Sequence, residues 1–124
     1  MKNLDYQQKI AILRILLDII NADGRIDARE TFFFNKVAKL LDLNDNNLET
    51  VKEANSLLSL LEIKEFGESQ KIEVAKLMGQ LIVVDEDINV NEMAIFELVC
   101  TTCNINIDFE DVVTKDQLEN STRS

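Results

Sequence analysis

Asp23, Ile26 and Glu30 of this chain recur as Asp85, Ile88 and Glu92, each 62 residues later. The same offset carries Arg14 to Lys76, Ile15 to Leu77 and Ile20 to Ile82 upstream, and Phe34 to Phe96, Val37 to Val99, Leu43 to Ile105 and Asn44 to Asn106 downstream. Polar and apolar character agree along most of about 30 positions, the mark of an internal duplication of a helix, acidic turn, helix unit. The copies span about residues 11–44 and 73–106. Two copies are too few for a solenoid, so the chain is expected to close into one pseudo-symmetric domain over 1–119. A polar tail, 120–124, is expected to be disordered.

The pattern is helical throughout. No Pro and only three Gly occur in 124 residues, while Leu, Ile, Glu, Lys, Asn and Ala abound. Asn3 can cap a first helix reaching about Ala22, whose polar positions Arg14, Asp18 and Asn21 form one narrow stripe. A helix so apolar around most of its circumference belongs in the middle of a bundle. Gly24 breaks it, and Asp27 with Glu30 has capping-box spacing for a second helix, from Ala28 to about Leu41. Asn44 or Asp45 opens a third, roughly 46–56, and Leu57 to Ile63 reads as a further turn or two. Ser69 is expected to cap a helix running to Val84, and Asp108 a last one from Phe109. The expected fold class is therefore all-α.

Each copy sets carboxylates where one helix stops and the next begins. These are Asp23, Asp27 and Glu30 in the first turn, and Asp85, Glu86, Asp87 and Glu92 in the second. Hard oxygen donors in such clusters suit Ca²⁺ or Mg²⁺, with Asp23, Asp27, Glu30, Asp85, Asp87 and Glu92 as the candidate ligands. A structural role accounts for several of them equally. Asp27 with Glu30 and Asn89 with Glu92 are what helix N-termini want for their unpaired N–H groups. Asp23 and Asp85 precede the caps and have no obvious helix-starting job. An EF-hand is excluded, since its first ligand position falls on Ile19 in one copy and Leu81 in the other, and the second copy has Glu86 where the loop needs Gly.

The segment Ala22-Asp23-Gly24-Arg25-Ile26-Asp27-Ala28-Arg29-Glu30 follows a hydrophobic helix and returns as Val84-Asp85-Glu86-Asp87-Ile88-Asn89-Val90-Asn91-Glu92. In this it resembles the doubled turn of the TerB-like proteins, bacterial tellurite-resistance and stress-associated proteins with a related domain in a DnaJ-like membrane co-chaperone. The resemblance covers roughly Leu4 to Val113. It implies duplicated helix-turn-helix units packed around two central helices, here Leu4 to Ala22 and Ser69 to Val84. It further implies a divalent-cation site in the acidic turns and a role in protein assemblies near the membrane rather than in catalysis. Glu86 departs from the pattern by standing where the first turn has Gly24.

Charge and cysteine content narrow the function. Thirteen Lys and Arg against 23 Asp and Glu leave a net charge of -10, which repels nucleic acid and anionic membrane. The surplus is uneven: residues 1–62 hold eight basic and ten acidic side chains, residues 63–124 five and thirteen, so the halves carry -2 and -8. Partners are expected to be other proteins, met through a basic or apolar surface, with a homo-oligomer among them. No His is present, which removes the commonest general base and the His-dependent nucleophile systems. A hydrolase with paired carboxylates is the competing enzyme reading, and one Tyr and no Trp argue against its substrate cleft. Cys100 and Cys103 form a C-x-x-C, but Phe96, Val99, Cys100 and Cys103 share one helical stripe, so burial as small core residues is expected. Two cysteines, no signal peptide and no apolar run long enough to span a bilayer point to the cytoplasm.

Overall fold

The computed structural model describes residues 4–84 and 86–113, and among these every regular element is a helix. The order is α1 (Tyr6–Ile20), α2 (Ala28–Leu40), α3 (Asp45–Glu53), α4 (Ser56–Lys64), α5 (Glu68–Val83) and α6 (Val90–Thr102). A final segment, α7, is helical over 109–113.

The capping residue of α1 is Asp5. Its Oδ1 accepts the Gln8 N–H at 2.8 Å, while Gln8 Oε1 accepts the Asp5 N–H at 2.9 Å. Ile10, Ala11, Ile12, Leu13, Ile15, Leu16, Ile19 and Ile20 of α1 are all buried. A helix apolar on so many sides needs neighbours on all of them. Accordingly α1 packs against each of α2 to α6, while α5 packs against α1, α2 and α6. These two, the opening helices of the two helix-turn-helix units, form the central pair, with the other helices packed around them.

The offset read in the sequence recurs in backbone geometry. α2 and α6 begin and end at matched positions, 28 with 90 and 40 with 102. Gly24 and Glu86 both have positive φ, 76° and 65°, as do Asp42 and Asn104, 59° and 58°. Asp and Asn are the non-glycine residues that tolerate this region best. They end α2 and α6 alike: the Leu43 N–H donates to the Ala38 carbonyl at 3.0 Å and the Ile105 N–H to the Cys100 carbonyl at 2.8 Å, the six-residue closure of a helix C-terminus.

Between the units the chain departs from its expected boundaries. The third helix stops at Glu53, because Ala54 turns extended (ψ 146°) and Asn55 starts α4 by accepting the Leu58 N–H at 2.9 Å. Arg14 holds this junction: its guanidinium donates to the Lys52 carbonyl at 3.0 Å, the Val51 carbonyl at 3.4 Å and Ser56 Oγ at 3.2 Å, and pairs with Asp18 at 2.6 Å. The α5 cap is Gly67 rather than Ser69, with the Gly67 N–H donating to Gln70 Oε1 at 3.0 Å. The expected Asn3 cap and the 120–124 tail lie outside the described residues. Where the first copy has Leu17, α5 has Gly79, and there α7 comes close: a Cβ on Gly79 would sit 2.6 Å from Val112 Cγ1. None of the described helices is long and apolar enough to cross a membrane.

Candidate functional site

The first acidic turn is built by backbone and side chain together. Asn21 ends α1, the Gly24 N–H donates back to the Asn21 carbonyl at 3.2 Å, and Asp23 Oδ1 accepts the Arg25 N–H at 2.9 Å. Asp27 then caps α2, its Oδ1 accepting the Arg29 N–H at 2.7 Å. The Arg29 side chain folds back onto the same carboxylate, Nε to Oδ1 at 3.1 Å and Nη2 to Oδ2 at 3.2 Å. These bonds to Arg29, side chain first and backbone second, hold the Asp27 carboxyl below the usual carboxylate range. In the second turn Asn89 does the capping, accepting the Asn91 and Glu92 N–H groups at 2.8 and 3.2 Å.

Glu30 and Glu92 stand apart from the other acids. Each is only 1% exposed, and they are the only buried charged side chains among the described residues. Carboxylates are rarely this buried unless paired. Both of these are partnered. The sequence offered both as capping partners and as candidate cation ligands, and nothing in it announced their burial: identity at matched positions is shared by Asp23 with Asp85 and Phe34 with Phe96.

The two turns come together. A hollow of roughly 330 Å³ is lined by Asp23, Arg25, Asp27, Arg29 and Glu30 from the first turn and Asp87 from the second. Of the six candidate ligands, Asp23, Asp27, Glu30 and Asp87 therefore share one site. Glu92 is buried and does not line the hollow, and Asp85 lies outside the described residues. The donor set is all oxygen, suited to a hard cation, with two guanidinium-bearing residues beside it. Among the described residues no three Asp, Glu or Cys side chains stand close enough together to hold an ion as placed.

The cysteine pair lies away from this hollow. Cys103 is fully buried and its Sγ donates to the Leu60 carbonyl at 3.3 Å. Cys100 is half-buried; burial first, then the neighbouring Cys103 and Glu97, push its thiol up to about 11. Burial raises Cys103 as well, against the pull of Lys71 and Lys64. Thiols held protonated in this way are poor nucleophiles.

Residues 1–53 match the family model described as tellurite resistance protein TerB. That stretch contains α1, the first acidic turn, α2 and α3. No curated protein matches the chain. Among solved structures, a protein of unknown function from Porphyromonas gingivalis W83 superposes with a TM-score of 0.73 at 23% identity, over 93% of this chain and 98% of that one. A likeness at that identity concerns the fold. With the family match and the doubled helix-turn-helix architecture, it makes the fold TerB-like.

Proposed function

We propose that this chain is a member of the TerB-like group throughout its length and works as a non-catalytic interaction module, with a weak divalent-cation site in its paired acidic turns. The carrying observation is that turns 62 residues apart in sequence line one acidic hollow. Capping alone gives no reason for Asp23 and Asp87 to meet there. Asp23, Asp27, Glu30 and Asp87, which line the hollow, are the proposed ligands together with Asp85, and Ca²⁺ or Mg²⁺ the ion their oxygens suit; Glu92, buried away from the hollow, is not among them. A bound cation would supply positive charge that ties the two turns together. Arg29 already occupies the Asp27 carboxylate, so binding has to displace that contact and is expected in the millimolar range. The cellular setting of the proposal is the cytoplasm, in protein assemblies of the tellurite-resistance or stress-associated type.

A purely structural domain without metal is the second reading, favoured by the Asp27 and Arg29 contacts. Melting in Ca²⁺ or Mg²⁺ against melting in chelator separates the two. At ten times Kd a ligand that binds only the folded state adds about 1.4 kcal/mol. Neutralising Asp23 and Asp85 to Asn should remove that gain while leaving the metal-free melting temperature nearly unchanged. Equal melting temperatures of the unmodified protein in millimolar metal and in chelator would reduce the acidic turns to caps.

A further inference from the structure

The outer faces of the matched helices α2 and α6 have diverged, one basic and the other uncharged. At 3.6 residues per turn, Phe32, Lys36, Lys39 and Leu40 fall within about 100° of arc on α2, opposite its buried face. All four are exposed, Phe32 at 73% and Leu40 at 72%. The equivalent positions of α6, Ala94, Leu98, Thr101 and Thr102, carry no charge. Beside them α6 and α7 border an open groove of roughly 740 Å³. Phe96, only 2% exposed, and half-buried Phe109 pack edge to face with centroids 5.3 Å apart at its floor, and exposed Glu97, Asp108 and Asp111 form its acidic side. No Lys or Arg occurs from Leu77 to Thr114 in the sequence, although Lys64 and Lys71 of other elements reach as far as Cys103. Among the described residues, none of Lys36, Lys39, Glu97, Asp108 and Asp111 takes part in an ion pair.

We propose that this groove receives the outer face of α2 from a second copy of the chain. Phe32 is the anchor against the half-buried Phe109, and Lys36 and Lys39 meet the acidic rim. Phe is enriched at the cores of interfaces, and charges of opposite sign around such a core steer the encounter and fix its register. The occupant is a second copy because the chain itself carries the cationic, aromatic stripe that the acidic groove calls for, and carries it on one of its two matched helices only. The repulsion of two chains each at -10 is short-ranged in physiological salt, where the Debye length is about 8 Å, whereas contacts a few ångströms apart persist. Donor face and acceptor groove are different surfaces, so the contact is heterologous: copies either exchange it in a closed assembly or add on in an open row.

Sedimentation velocity of the full chain at about 150 mM salt tests this. The unmodified protein should gain weight-average mass with concentration. Lys36→Glu with Lys39→Glu should abolish the gain, as should Glu97→Lys with Asp111→Lys, because like charges in contact weaken association by roughly a hundredfold or more. An equimolar mixture of the two double variants should regain it, since the reversed α2 now faces a reversed groove and the unaltered pair remains. All four positions are exposed, so melting temperatures near that of the unmodified protein are expected. Where a charge variant melts far lower, Phe32→Ser is read instead and must also lose association. A constant one-chain mass for the unmodified protein overturns the proposal and leaves the groove to a different basic partner. So does a mixture no heavier than its components, or undiminished association in the variants.

Discussion

Replacing Glu86 with glycine should make this protein more stable, although glycine usually weakens a fold. Glu86 sits at φ 65°, at the position where the first copy has Gly24 at φ 76°. A residue with a Cβ in that left-handed region costs about 1 to 2 kcal/mol, and glycine there costs nothing comparable. Against this, glycine frees the unfolded chain by about 0.4 to 1 kcal/mol. The net expectation for Glu86→Gly is a gain of roughly 0.5 to 1 kcal/mol, a rise in melting temperature of about 2 to 5 °C for a domain of this size. Glu86 is also an exposed acid between Asp85 and Asp87, so loss of its charge alone could stabilise the turn. Glu86→Gln separates the two, because it removes the charge and keeps the backbone strain. The mirror substitution is Gly24→Ala, where a new Cβ meets nothing within 4 Å and only the positive φ resists it. It should lose roughly what Glu86→Gly gains. The assay is urea unfolding followed by circular dichroism, read as a midpoint shift at constant slope. Equal shifts for the Gly and Gln variants, or a neutral Gly24→Ala, would refute the backbone argument.

Four further tests concern contacts between elements and the cysteine pair. Gly79→Ala should cost about 1 to 3 kcal/mol by pushing Val112 aside, and adding Val112→Ala should recover part of that in a double-mutant cycle. Arg14→Met should cost about 1 to 3 kcal/mol in urea unfolding, because it leaves the half-buried Asp18 without its partner and unties α1 from the end of α3; Arg14→Lys should restore only part, lacking the planar fork. Iodoacetamide at pH 8 should label Cys100 and Cys103 far more slowly in the folded protein than in the unfolded one. Cys100 keeps its proton to about 11 when folded against 9.0 ordinarily, so its contribution to stability is full below pH 9 and lost as pH rises from 9 to 11; a Cys100→Ala variant should flatten that slope.

Much of the candidate site was legible before any coordinates. The 62-residue offset located both turns, and the matched ends of α2 and α6 follow from it. Asp27 and Asn89 cap as their spacing predicts. The stripe of Phe96, Val99 and Cys103 is buried, with Cys100 half-covered beside it. Among Phe32, Phe33 and Phe34, which point three ways on a helix, Phe34 enters the core and Phe32 faces outward. Illegible were the break at Ala54 and the Gly67 cap. The first depends on Arg14, 37 and 38 residues from the carbonyls it holds. The second lacks a side-chain donor or acceptor to announce it.

What sequence alone determined is therefore local or repetitive: helix identity, most caps, and the doubling itself. Each is decided by residues within a turn or two of one another, where propensity and hydrogen-bond geometry act without knowledge of the rest of the chain. Only the tertiary structure decided that Glu30 and Glu92 are buried, that Asp23 and Asp87 face one hollow, and that Gly79 admits α7. Those outcomes depend on how the two units lie against α1 and α5. The same Asp-x-x-Glu spacing serves an exposed cap and a buried carboxylate equally well, and burial is a property of what packs on top.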